Sequence, residues 1–255
     1  MSSAQDTAPS VQGDVSGSTG AGSHWTELWR QFGQLRRAPV SAVLWQQVRR
    51  GALGFFWLAA ALGALAGFFT LITVESGFGL GITIGVRVLQ ELVLGQLAGF
   101  AAALLLVAGP GLAGVFELAL MRQQGELRVL RLIGIDPHDL LVLPRALGFA
   151  GSLMVLAFSF QLAAVLGGFA LTALFSSASF TPQMIALAGM LPPWMLVVSA
   201  VRSLVLGGVI GLLVCHQGLV APFSPTRMPQ IARQFLSRAL VAFVLVHGVF
   251  ALLMS

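Results

Sequence analysis

Charge comes and goes along this chain in long blocks. Residues 51–74, "GALGFFWLAAALGALAGFFTLITV", contain 24 positions without one charge. At about 1.5 Å per residue, an α-helix of this length crosses a hydrocarbon core of about 30 Å. A second apolar stretch begins near Ile82 and runs to Phe116, interrupted only by Arg87 and Glu91. After Arg145 no charge appears until Arg202, a gap of 56 residues and too long for one span. "SSASFTP" at 176–182 and "LPP" at 191–193 divide it, because Ser and Pro clusters mark loops. A proline-rich loop, "APFSPTRMPQ" at 221–230, precedes a last apolar run from Ala239 to Ser255. The pattern predicts an all-α integral membrane protein with about five spanning helices, at about 51–74, 84–116, 146–175, 194–220 and 236–254.

The N-terminal region reads differently. Residues 1–23 are rich in Ser, Gly, Ala and Gln and are expected to form a disordered cytoplasmic tail. They lack the apolar core of a signal peptide. In 24–50, Trp25, Leu28, Trp29, Phe32 and Leu35 recur at helical spacing among Arg30, Arg36 and Arg37. Tryptophan and arginine together suit an amphipathic helix in the headgroup layer, with Pro39 breaking or restarting it. Residues 51–255 then form the membrane domain.

Composition sharpens this picture. The chain is 57% hydrophobic and 9% charged, with mean hydropathy +0.91; a soluble domain carries about 25% charged residues. Every basic residue is Arg. Without Lys there is no Walker A loop, so any ATP that drives this protein is bound and hydrolysed by another chain. The spans contain no Ser/His/Asp set, paired carboxylates or metal motif, which argues against an enzyme or a metal site. No cofactor of its own is expected. The net charge of +5 reflects membrane orientation rather than nucleic acid binding. Arg30, Arg36, Arg37, Arg49 and Arg50 lie in 24–50; Arg122, Arg128, Arg131 and Arg145 in 117–145; Arg227, Arg233 and Arg238 in 221–238. The positive-inside rule places these segments and the N-terminus in the cytoplasm. Cys215 reads as a small buried hydrophobe.

The stretch "GELRVLRLIGIDPHDLLVLPR", residues 125–145, is the exception in this oily sequence. Leu127, Leu130 and Ile133 share one helical face, surrounded by Glu126, Arg128 and Arg131. Gly134 can end that helix, and Asp136 before Pro137 can cap another. Segment 117–145 therefore predicts a short amphipathic helix on the cytoplasmic side between the second and third spans, either a handle for a partner or an ordinary interfacial helix. Glu117, at the end of the second, can pair with Arg122 or act as a latch. Arg87 and Glu91, four residues apart, can pair on their helix. Arg202, in the fourth span, can bind a lipid phosphate or reach the interface.

"FELALMR" at 116–122 followed by "GELRVLRLIGIDPHDLLVLPRALG" at 125–148 resembles the MlaE-type permeases, the lipid-transporting ABC permeases associated with MCE-domain proteins. That family shows "AEIG-x-MR", then "LG-V-DP", then "L-V-x-PR"; the spacing from Met121–Arg122 to Asp136–Pro137 matches without gaps. "CHQGL" at 215–219 is similar to a family "C-x-x-G". The resemblance implies a permease subunit in the bacterial inner membrane, paired with a second permease chain. It also implies separate P-loop ATPase subunits beneath, a periplasmic MCE-domain protein above, and phospholipid as cargo. By the same resemblance Glu117, Arg122, Glu126, Arg128, Arg131, Gly134, Asp136 and Pro137 form the ATPase-coupling segment.

The sequence departs from the family at four places, two of them being His247 where the family has an acidic residue near the chain end, and Gly125 where it has a Glu, with Glu126 one position later. A usual "RELGP" is matched by "QLAGF" at Gln96–Phe100, and an "AGR" by "AGP" at Ala108–Pro110. A secondary transporter or channel, or a non-transporting half of a heteromeric permease, are the competing functions. The first wants midplane polar groups and inverted repeats, and the sequence offers only Arg87 with Glu91.

Overall fold

The structure, a computed structural model, describes residues 38–74, 82–127, 132, 141–175, 185, 189, 193–220 and 228–254. The tail at 1–23, most of the 24–50 segment, and the coupling residues Arg128, Arg131, Gly134, Asp136 and Pro137 lie outside the described residues.

The described residues are almost wholly helical, without a strand. Helix α1 is Ala38–Ile72, starting one residue before Pro39 and running unbroken past residue 50. A proline in the first turn is tolerated because its missing N–H has no helical partner there. Helix α2 spans 82–123 as a succession of turns, Ile82–Val88, Leu89–Leu97, Ala98–Leu106, Val107–Gly111 and Leu112–Gln123. Helix α3 is Leu143–Phe175, α4 is Pro193–Val220 and α5 is Met228–Met254. Each of the five contains a stretch long and apolar enough to cross a membrane.

Two parts of α2, Leu89–Leu97 and Val107–Gly111, are wound as π-helix. In the first, the Ala98 N–H reaches back five residues to the Val93 carbonyl. The second contains Pro110, which has no N–H to donate. Helix α2 continues through Glu117 and Arg122 to Gln123, so these two charges sit on the spanning helix itself rather than in a connecting loop. It ends at Gly125, whose φ of 79° is the left-handed conformation that glycine adopts at low cost. There Gln124 N–H donates to the Leu120 carbonyl at 2.9 Å and Gly125 N–H to Arg122 at 3.2 Å.

Helix α3 is the centre of the bundle; α1 packs along one side of it and α4 along another. In lipid no hydrophobic force separates helix from solvent, so close packing depends on small residues. "GALAG" supplies them on α1. A Cβ on Gly63 would fall on the Phe160 carbonyl oxygen, and one on Gly67 on that of Ala164. Helix α4 repeats the device with Gly207 and Gly211: a Cβ at either would come within 2.7 Å of Ala150 Cα or Ala146 Cα. Phe149, Leu153, Leu156, Leu206, Ile210 and Phe235 fill the space between α3, α4 and α5. Helix α5 is the most exposed of the five along its apolar window, and Ile231, Phe235, Ala239 and Ala242 are its buried contacts.

Candidate functional site

Two polar regions interrupt this apolar body. The first is at the end of α2 where the charged segment begins. Arg145, on the first turn of α3, is buried, and its Nη2 lies 3.3 Å from Glu117 Oε1. The expected pairing of Glu117 with Arg122 is not the one observed. Arg122 instead donates from Nη1 to the Leu219 carbonyl at 2.6 Å, in the last turn of α4. The reason is geometric. Positions 117 and 122 are five residues apart, off the three- and four-residue spacings that share a helical face. Leu219 also offers a better acceptor, one of the carbonyls left without a helical donor at a C-terminus, where the helix dipole favours a cation. Arg122 thus fastens α4 to α2, and Glu117 fastens α3 to α2. Glu126 is exposed just beyond Gly125.

The second region lies among α2, α3 and α4, toward the other end of the bundle. A cavity of about 390 Å³ opens there, lined by residues that include Glu91, Gly95, Gln161, Ser199 and Arg202. Gln161, buried on α3, donates from Nε2 to the Leu94 carbonyl at 3.0 Å and to Ser199 Oγ at 2.8 Å. Arg202 donates from Nη2 to the Gly95 carbonyl. The Leu94 and Gly95 carbonyls both belong to the π-wound part of α2. Two polar side chains from neighbouring spans therefore hold that segment in place. Gln161 Oε1 is buried and has no hydrogen-bond partner among the described residues. Beside the cavity, His247 stacks on Phe243 with ring centroids 3.9 Å apart, and its Nδ1 is 3.2 Å from the Phe243 carbonyl. His247 and Arg202 converge on Gly99: a Cβ there would lie 3.2 Å from His247 Nε2 and 3.7 Å from Arg202 Nη2.

Arg87 and Glu91 stand one turn apart on α2, Arg87 Nε 3.3 Å from Glu91 Oε1, with most of both side chains exposed. Such a pair is a small stabiliser. Arg87→Gln is expected to lower stability by at most about 0.5 kcal/mol, read by thermal unfolding in detergent. Cys215 is buried without a disulfide partner, and its neighbour His216 is exposed.

Residues 44–253 match the family described as Permease MlaE. The chain belongs to the MlaE permease family. No curated protein matches the chain. With five helices among the described residues long and apolar enough to span, this MlaE permease is a multi-pass membrane protein of lipid transport, a transporter subunit and not an enzyme in itself. Of the charges singled out in its sequence, Glu117 and Arg122 come together at one end of the bundle, and Glu91 and Arg202 at the cavity. Two partners were missed. Arg145 stands 28 positions from Glu117, a separation at which no helical rule applies. Gln161 had a signal: it is the one Gln in the long charge-free stretch before "SSASFTP".

Proposed function

We propose that this MlaE permease is the membrane subunit of an ABC-type transporter that moves phospholipid in the bacterial inner membrane, powered by a separate P-loop ATPase. The family match over 44–253 carries the reading. Three observations support the finer statements. The chain has no Lys for a nucleotide loop of its own. Its arginines concentrate in 24–50, 117–145 and 221–238, which favours a cytoplasmic N-terminus and a cytoplasmic 117–145. The start of that segment is tied to both α3 and α4, so a push there reaches three spans at once.

In this scheme Glu126, Arg128, Arg131, Gly134, Asp136 and Pro137 meet the ATPase, while Glu117 and Arg122 pass the movement on. A second permease chain pairs with this one, and an MCE-domain protein receives or delivers lipid on the far side. A non-transporting half of a heteromeric permease is the second reading, favoured by Gln96 and Leu97 where the family carries Arg and Glu. The test is purification with neighbouring subunits. Wild type should bring down an ATPase subunit and bound phospholipid, and Glu126→Arg with Arg131→Glu should release the ATPase from a folded permease. Full retention of the ATPase by the double variant would refute docking at this segment. An ATPase-bound complex free of phospholipid would favour the non-transporting reading.

A further inference from the structure

We propose that the cavity among α2, α3 and α4 receives the headgroup of a lipid in which a phosphodiester is joined to a protonated amine bearing N–H groups, an ethanolamine-type headgroup. This rests on the lipid-transport reading and adds to it the chemistry of the cargo.

Arg202 supplies the anion-binding end. Among the described residues no carboxylate lies within ion-pair distance of it, and its observed bond goes to a neutral carbonyl. A guanidinium has five N–H donors in a fork that fits phosphate oxygens, so one backbone acceptor leaves most of its capacity unused. A cation inside a spanning helix is costly enough to mark a functional position.

Gln161 supplies an acceptor close by, since it and Arg202 bond to the successive carbonyls of Leu94 and Gly95. Gln161 is only 6% exposed, and both of its observed bonds use the amide nitrogen. Its Oε1 is an acceptor aimed into a buried environment with no protein donor. Buried polar atoms are nearly always paired, and an unpaired one calls for a ligand or a bound water. Glu91 also lines the cavity, its Oε1 held 3.3 Å from Arg87 Nε and most of its side chain exposed. A cation and an unpartnered acceptor in one cavity complement a zwitterion whose positive end carries N–H groups. A choline headgroup has the charges without the N–H. A glycerol headgroup has donors without the positive charge.

Size and depth agree with a headgroup in transit. About 390 Å³ is at the small end of ligand cavities, enough for a headgroup and not for acyl chains as well. Arg202 is eight residues past Trp194, roughly 12 Å along the helix. Arg202 therefore lies well inside the apolar length of α4.

The test uses the full complex, reconstituted with equal amounts of ethanolamine, choline and glycerol phospholipids and read by native mass spectrometry. Wild type is expected to retain the ethanolamine lipid about tenfold over choline, the worth of one charge-assisted hydrogen bond. Stepwise N-methylation of the ethanolamine lipid should keep binding through the dimethyl form and lose it at the trimethyl form. Gln161→Met should bring the ethanolamine-to-choline ratio close to one with phospholipid still bound. Arg202→Gln should reduce all three lipids. Equal retention of trimethylated and unmethylated lipid by wild type overturns the proposal, whatever the variants do. Full displacement by soluble glycerophosphoethanolamine at equal concentration also overturns it, by assigning the cavity to a soluble phosphate ester. ATPase co-purification is scored in the same samples. Headgroup preference without an ATPase refutes the transporter reading alone; an ATPase-bound complex without the preference refutes the headgroup site alone.

Discussion

Gly67→Ala is expected to destabilise the protein by about 3 kcal/mol, toward the upper end for overpacking, and to lower its melting temperature by roughly 10 °C. Helix propensity predicts the opposite sign, since Ala outranks Gly by about 1 kcal/mol in a helix interior. Packing decides the matter. The new methyl would fall on the Ala164 carbonyl oxygen of α3, which is backbone and cannot rotate away. The two helices would have to part along the whole contact that includes Gly63 and Phe160. Gly54, on the same helix, is the control: a Cβ there meets nothing within 4 Å, so Gly54→Ala should be neutral or slightly stabilising. Ala164→Gly should not rescue Gly67→Ala, because it removes a side chain and leaves the obstructing carbonyl. Thermal unfolding of the four proteins in one detergent checks the set. Equal melting of Gly67→Ala and Gly54→Ala would show that α1 and α3 are not in contact there.

Glu117→Ala is expected to cost about 2–3 kcal/mol, somewhat less than the 3–5 typical of a fully buried pair. The side chains are unequal: Arg145 is 8% exposed and Glu117 54%. Removing Glu117 strands a buried guanidinium, whereas removing Arg145 leaves a carboxylate that water can reach. Arg145→Met should therefore cost less than Glu117→Ala. The double variant should recover most of the loss, because replacing both partners leaves no unpaired charge. Unfolding midpoints of the wild type, both single variants and the double variant complete the cycle. Strict additivity would mean that the two residues do not interact. The pair ties the end of α2 to the first turn of α3, so its loss should loosen that contact.

The spans were legible because a membrane demands long apolar runs, and charge blocks such as 117–145 stand out against them. The ends were less so. Glu117 and Arg122 continue α2, since a helix can extend past the hydrocarbon edge wherever its backbone remains bonded, and composition marks only the edge. The glycine pair at 63 and 67 was visible as a motif, but its partner surface on α3 was not. Gly207 and Gly211 do the same work on α4 and were hidden by the general abundance of glycine. Pairings such as Glu117 with Arg145, or Gln161 with Leu94, depend on which helices become neighbours, and local spacing carries no trace of that. The coupling residues from Arg128 to Pro137 lie outside the described residues, and their role stands on the family resemblance.

The two wide-wound portions of α2 bear on how this chain should be aligned with its kin. A π turn holds an extra residue compared with an α turn, which swings everything beyond it by about 100° around the helix axis. An insertion or deletion of one amino acid at 89–97 or 107–111 can therefore be absorbed within a continuous span, leaving no loop to betray it. Gln96–Leu97 and Ala108–Pro110, where the family's charges are missing, fall inside those two portions. Position-by-position matching loses its angular meaning there, and homologues are better superposed by compass bearing about the axis than by ordinal number.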